Sequence, residues 1–519
     1  MSSMFEQALK QTLNNEVSIT ENGAVGFKTS GKKLLDINFA IASLRSKSAN
    51  EIQKMFSDAF YEDPILAVKW LFMLRDVRGG MGERRSFRIC FSWLANTCPK
   101  AVEKLIPLVA EYGRWDDLLL SGLEGDLWKA VVDIVNVQWT NDVNNMEVGK
   151  PISLLAKWMP SVNTSSVKTV ALARKLAAEL NMPEKVYRKT LSKLRKYLNV
   201  IEQKMSAKQW NEINYEAVPS KANVKYNSAF LRNDEARRRE FLGKLEKGEA
   251  KINSATNFPC DIVHSYMNSH YTIKSYDAAI EGMWKALPNY IADQESGSTI
   301  VVADSSGSMG CTIGSGTITA VEVAYSLAIY FAEKLVGPFK DKTITFSSHP
   351  KYLDMSNAKT LREKLDIMFK HSEYADTNVE KVFDLILKTA VDNKLSQNDI
   401  PSNVLIVSDM EFNAAQCQSS WSIPPNWDAK QNALFTRIAQ KWENASYKLP
   451  RLVFWNVNSR TGTIPVQTNK NGVALVSGFS PAVAKMVFSA KLDPFEVLKD
   501  AINVPRYDAV EAAIKDVIA

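Results

Sequence analysis

The residues best placed to do chemistry fall in three short segments between positions 304 and 409. Asp304-Ser-Ser-Gly-Ser308 alternates its oxygens, so Asp304, Ser306 and Ser308 turn toward one point while Gly307 allows the tight bend. Ser408-Asp409 supplies a second carboxylate, and Asp376-Thr377-Asn378 supplies a hydroxyl, that of Thr377, just ahead of a helical pattern. Together these two carboxylates and three hydroxyls make a hard, oxygen-only, partly open shell. Mg2+, or another divalent cation of its kind, suits that shell, because it prefers oxygen, keeps part of its water and is ordinarily bound by one or two carboxylates. So few charged ligands leave the ion residual positive charge and an open position. A carboxylate or phosphate oxygen from a protein or nucleic-acid partner would complete it. The alternative is that these are ordinary turn and cap residues.

The elements that must position these loops alternate in type. From about residue 297 short apolar runs alternate with helical segments. Strands are predicted at Thr299–Ala303, Thr343–Phe346, Val404–Val407, Leu452–Val457 and Val473–Val476. Helices are predicted at Ile318–Leu335, Leu361–Phe369, Val379–Ala390, Ala429–Asn444, Pro481–Ser489 and Asp508–Ile518. Near-continuous apolar strands alternating with helices predict a parallel, doubly wound sheet, in which ligands bind at the carboxyl ends of the strands. The polar stretch Asp293–Ser298 separates this region from a helical one. Two domains are therefore expected, a helical one over residues 1–292 and an α/β one over residues 297–519.

In the helical half, apolar residues recur at three and four spacing, with candidate helices at Ser48–Phe60, Pro64–Leu74, Ser86–Asn96, Ala101–Tyr112, Ser166–Leu180 and Asp234–Lys247. Tyr187, Leu191, Leu194, Leu198, Ile201 and Met205 fall on one face, behind Asn181 and Pro183 as start signals. Many short helices with short connections imply stacked pairs, a HEAT-like solenoid, although no fixed period is present.

Charge is uneven. The net charge is +7, and Lys168–Arg239 holds 17 Lys and Arg against 7 Asp and Glu. Such asymmetry points to a polyanion on one half; solvated helix lysines are the plain alternative. Arg188, Lys193, Arg195 and Lys196 lie off the apolar face, while Lys221 and Lys225 follow the helix-start signal Pro219-Ser220. Arg75, Arg78, Arg84 and Arg85 flank a glycine-rich turn that suits phosphate contact. Ion pairing of Arg75 or Arg78 with Asp76 or Glu83 is the competing reading.

Catalysis finds no support. The four histidines form no partner pattern, no G-x-x-x-x-G-K-[ST] loop is present and no triad follows Ser308, so an enzyme is not expected. The five cysteines are scattered, without a C-x-x-C pair, which fits a reducing compartment. No apolar run approaches the roughly 18 residues of a membrane span, and the N-terminus lacks a secretory pattern.

Asp304-Ser-Ser-Gly-Ser308, Thr377 and Asp409, in that order on successive strand ends, resemble the metal-ion-dependent adhesion site (MIDAS) of von Willebrand A domains. Arg75-Asp-Val-Arg-Gly-Gly-Met-Gly-Glu83, Tyr112-Gly-Arg-Trp-Asp-Asp-Leu118 and Trp210–Ser220 are similar to sequences in a family of plant, giant-virus and phage proteins that pair a helical domain with such a C-terminal domain. That family in turn resembles the Ro autoantigen (TROVE) proteins. The resemblance implies a TROVE-like helical-repeat domain that binds single-stranded, misfolded or structured non-coding RNA in a ribonucleoprotein. It also implies a C-terminal domain with a magnesium-dependent contact, and a cytoplasmic place, that of the host if the source is viral. A metal-dependent assembly factor that binds no RNA is the alternative function.

Overall fold

The computed structural model describes residues 17–268, 272–292, 297–347, 349–373, 378–413, 434–466, 472–489 and 491–518. The chain forms two compact units, one of residues 1–63 with 257–503 and one of 64–256 with 504–519.

The first unit is built on a sheet. A hairpin, β1 (Val17–Ile19) and β2 (Val25–Phe27), opens it. The main sheet contains β3 (Thr299–Asp304), β4 (Lys342–Phe346), β5 (Tyr352–Asp354), β6 (Asn403–Ser408), β7 (Arg451–Asn456) and β8 (Val473–Ser477), in the order β5-β4-β3-β6-β7-β8. All neighbours are parallel except β4 and β5. β3, β7 and β8 are buried at every position, as expected of strands covered on both faces. The helix Ala320–Lys334 is buried from Ala320 to Ala332, and the capping box of Thr319 and Glu322 fixes its start.

Early segments of the chain complete this unit. Phe27 pairs with Ile464, the Thr20 hydroxyl donates to the Phe412 carbonyl at 2.6 Å, and the Asn456 amide donates to the Phe39 carbonyl at 2.7 Å. The helix Pro259–Tyr266 packs on Ala320–Lys334, and the buried Glu281 carboxylate accepts the N–H groups of Leu361 and Arg362 at the start of the helix Leu361–Lys370. The expected division at 292/297 falls within the first unit, and the compact units divide at residues 63, 256 and 503.

The second unit is helical. Its helices include Pro64–Arg75, Arg85–Thr97, Pro99–Tyr112, Trp115–Leu120, Gly125–Glu147, Val167–Glu179, Glu184–Tyr197, Ser220–Asn233 and Glu235–Glu246. The loop after Pro64–Arg75 folds back onto that helix, with the N–H groups of Met81 and Glu83 donating to the carbonyls of Met73 and Leu74. A Cβ at Gly80 would stand 2.0 Å from the Met73 carbonyl oxygen, so only glycine fits there. On Glu184–Tyr197, Tyr187, Leu191 and Leu194 are buried as expected. That face does not run on to Met205 in one helix, because Asn199 turns left-handed at φ 53° and a separate short helix starts at Ile201. Asn181, read as a start signal, also adopts positive φ, and it ends the preceding helix.

Asp508–Ile518, expected with the sheet, instead packs on Pro64–Arg75 and Pro99–Tyr112. Asp76, wholly buried, joins them: it accepts from the Arg506 guanidinium, the Tyr507 hydroxyl at 3.1 Å and the Arg78 N–H at 3.0 Å. Tyr507 stacks on Tyr112, and the nearly buried Lys69 pairs with Glu511 at 2.6 Å. Removing one member of such a buried charged network leaves the others uncompensated, at a cost of about 3–5 kcal/mol. Asp76→Ala is expected to lower unfolding stability by about that amount. Asp58→Ala, which removes an exposed ion pair with Lys54, should cost under about 1 kcal/mol. Urea denaturation followed by tryptophan fluorescence compares the two, and equal costs would refute the role given to Asp76.

Candidate functional site

The chain leaves β3 for β4 on one side and later places β6 on the other, so the crevice between the ends of β3 and β6 is a topological switch point. Asp304 is the last residue of β3, and Asp409 directly follows Ser408, the last residue of β6. The parallel register sets Ala303 opposite Val407 and brings both carboxylates to one edge.

Both carboxylates are wholly buried. Asp304 accepts from the Ser408 hydroxyl at 2.5 Å and the Ser306 N–H at 2.8 Å. Ser306 and Ser308 hold their hydroxyls 3.0 Å apart, and the half-buried Ser308 hydroxyl also bonds to Asp409. Asp409 accepts from the Glu411 N–H at 3.2 Å, across Met410, whose φ of 63° is the left-handed bend that a non-glycine residue rarely adopts. Of the five expected donors, Asp304, Ser306, Ser308 and Asp409 come together; Thr377 lies outside the described residues. Asn378, beside it, accepts the Lys381 N–H at 3.2 Å and caps the helix Val379–Asp392.

Two residues had no signal in the sequence. Glu411 is wholly buried and accepts from the N–H groups of Arg460 at 2.8 Å, Thr461 at 2.9 Å and Glu21 at 2.9 Å, so it anchors the 459–461 loop beside the site. The loop carries Arg460, whose guanidinium lies 3.4 Å from Asp409 and 2.7 Å from Glu21. Both side chains are ordinary in their local spacing, and only the fold brings them to Asp409.

Burial pushes Asp304 up to about 6 against its hydrogen bonds from Ser408 and Ser306. Burial, then the neighbouring Asp304 charge, pushes Asp409 up to about 7. Arg460 alone cannot neutralise two buried carboxylates, and the hard oxygen donors fit a divalent cation better than a soft one. Among the described residues no three His, Cys, Asp or Glu side chains gather as a metal cage, so the hydroxyls are essential to this donor set. Elsewhere in the unit His264 sits 3.0 Å from Glu322 and, through its other nitrogen, 3.0 Å from Thr317; His270 and Cys417 lie outside the described residues.

The expected cationic residues are all in the helical unit. Arg75 is buried on Asp117 at 2.7 Å, not on Asp76 or Glu83. Arg195 is half-buried, with its guanidinium on the carbonyls of Ala156 and Met159 and the Ser161 hydroxyl. These two hold structure together and are withdrawn from the surface. Arg78 is exposed and pairs with Glu111 at 3.1 Å. Arg84, Arg85, Arg188, Lys193, Lys196, Lys221 and Lys225 are exposed.

The fold and site define a class: a helical unit joined to a mixed parallel sheet with an oxygen-lined crevice at its switch point. The chain belongs to the family described as domain of unknown function DUF2828, whose model matches residues 20–143 and 122–296, over half of the 519 residues. A second model, domain of unknown function DUF7788, matches residues 298–507. Uncharacterized protein L728 of Acanthamoeba polyphaga mimivirus is 28% identical, covering 93% of this chain and 86% of that protein. Among solved structures, the Deinococcus radiodurans RO (RSR) protein is similar at a TM-score of 0.44 and 15% identity, covering 86% of this chain and 93% of that one. No described helix is long and apolar enough to cross a membrane.

The raised carboxylates have a pH signature. An unfolded aspartate loses its proton near pH 3.9, while the folded pair keeps it to about 6 and 7. Between those values the native state binds more protons than the unfolded one, so stability falls as pH rises and levels off above about 7, by about 1.4 kcal/mol per pH unit for each proton. In EDTA, wild type should therefore lose stability relative to Asp409→Asn from pH 4.5 to 7.5, as followed by urea melts. Parallel curves would exclude the buried pair as the source.

Proposed function

We propose that this chain is an RNA-binding protein whose helical unit binds single-stranded, misfolded or structured non-coding RNA. In this reading the sheet unit is a von Willebrand A-type domain that uses Mg2+ at its crevice to contact an acidic group of a partner. The RNA part is carried by one observation. On Glu184–Tyr197, Tyr187, Leu191 and Leu194 are buried, while Arg188, Lys189, Lys193 and Lys196 are exposed and form no ion pair among the described residues. A row of unneutralised cations on one helix is the electrostatic footprint of a phosphate backbone. The TROVE resemblance of the sequence motifs supports the same reading. For the metal, Asp304, Ser306, Ser308 and Asp409 would be ligands, and an ion there would supply an open coordination position. The central β3, the antiparallel edge strand β5 and the Asp-x-Ser-x-Ser loop at the switch point support the domain type.

Reversing Lys189, Lys193 and Lys196 to Glu should weaken single-stranded RNA binding at least several-fold. It should also flatten the log–log salt dependence by about 0.7 for each phosphate no longer neutralised. Fluorescence anisotropy across a salt series measures both, and wild-type affinity with an unchanged slope would move RNA off this face. Asp304→Ala should abolish Mg2+ binding by calorimetry and leave RNA affinity unchanged; equal Mg2+ affinity in the variant would refute the ligand set. If the wild type binds no RNA at any salt, the metal-dependent assembly factor becomes the better account.

A further inference from the structure

We infer that Arg84, Arg88 and Arg114 form a phosphate-binding site in the helical unit, and that its occupant is a backbone phosphate of single-stranded RNA; this rests on the RNA-binding reading above. The charges at this junction do not balance. Three guanidinium groups, those of Arg75, Arg88 and Arg114, converge on two carboxylates, Asp116 and Asp117. Asp117 takes Arg75 on one oxygen and Arg88 on the other, each at 2.7 Å. Asp116 takes both Arg114 nitrogens, at 2.8 and 2.6 Å, with Arg88 at 3.1 Å. Every carboxylate oxygen is thus engaged, and one positive charge remains.

Arg84 adds another. It is exposed and stands at the start of Arg85–Thr97, and its side chain makes no hydrogen bond or ion pair among the described residues. Partial burial, then repulsion from Arg114 and Arg88, holds its pKa below the usual arginine value. Here the first turn of Arg85–Thr97 has no acidic residue and no side-chain cap, which leaves the helix dipole adding to the same positive field.

The cationic groups are also held in place. The Arg114 guanidinium lies 3.8 Å over the ring of Trp158, with Lys157 over the same ring at 5.5 Å. Gly113 is required for the arrangement, since a Cβ there would lie 2.7 Å from an Asp117 oxygen and 2.9 Å from Arg75 Nε. Arg88 and Arg114 each keep 20% of their side-chain surface open. Fixed, partly open guanidinium forks with spare donors match a tetrahedral phosphate, and the ordering cost is already met by the aspartates and the tryptophan.

The test uses the full chain and a fluorescein-labelled single-stranded oligouridylate. Arg84→Glu should weaken its binding about tenfold or more and lower the salt slope by about 0.7 to 1.4, for one or two phosphates. Arg84→Lys should keep most of the affinity. Lys54→Glu, an equal charge change at an exposed site in the other unit, should stay at wild-type strength. Arg84 is exposed and unpaired, so matching thermal melts of the variants will exclude misfolding. If the wild type binds and Arg84→Glu binds equally well, the site is overturned while the RNA reading stands. If the wild type binds no oligouridylate at any salt, the reading falls and this occupant with it. Capture of an acidic peptide that Arg84→Glu abolishes, with no oligouridylate binding, would overturn the RNA assignment in favour of a protein ligand.

Discussion

β3 is hydrogen-bonded on both sides to parallel neighbours, and every residue from Thr299 to Asp304 is buried. Parallel strands cannot be joined by a tight turn, so the connections out of β3 and β6 must leave from the same sheet edge before crossing over. Asp304 and Asp409 are forced together by that register and not by attraction, since two like charges in a buried site repel. The surrounding hydrogen bonds answer this repulsion. The Ser408 hydroxyl and the Ser306 N–H face Asp304, while the Ser308 hydroxyl, the Glu411 N–H and Arg460 face Asp409. Arg460 is in turn held by Glu411 and Glu21, so the first hairpin of the chain reaches the edge of the crevice.

In the helical unit buried ion pairs have a comparable role. Asp117 gathers the guanidinium groups of Arg75 and Arg88, Asp76 takes that of Arg506 and the Arg78 N–H, and each acid sits beside a backbone turn that only a small residue permits. These acids take no part in covering the surface. They organise the Arg-Asp-Val-Arg-Gly-Gly and Gly-Arg-Trp-Asp-Asp segments into one packed junction. The recurrence of arginine, glycine and aspartate in both segments follows from that junction, and the guanidinium groups left over at its rim are what remain for a ligand.

The five apolar strands of the main sheet were legible because each is a run of β-branched and large apolar residues. The Asp-Ser-Ser-Gly-Ser loop was legible because its oxygens alternate. β5 was missed: it is three residues long, and only Leu353 of the three is buried. Pro481–Met486 is a 3-10 turn where a helix was expected, and the helix Pro494–Ile502 that follows was overlooked because its start is carried by Asp493 and Pro494 rather than by a long periodic run. Partners of charged residues were misread for a different reason. Arg75 had Asp76 and Glu83 nearby in sequence, yet it pairs with Asp117, and Asp76 pairs with Arg506. Local spacing says nothing about which distant acid the fold delivers. The same holds for Glu411 and Arg460, and for the exchange of chain segments between the compact units.

That exchange has a consequence for synthesis. The helical unit begins at residue 64 but needs residues 504–519, which are made only after the whole stretch 257–503. At the usual elongation rates of about 5–20 residues per second, the helices Pro64–Arg75 and Pro99–Tyr112 wait about 20–80 s on the ribosome without the helix that covers them. During that interval Asp76 has no Arg506 or Tyr507, and Tyr112 lacks the Tyr507 ring that stacks on it. The nascent chain therefore carries an unfinished apolar face while residues 257–503 are made, and the helix Asp508–Ile518 decides when it closes.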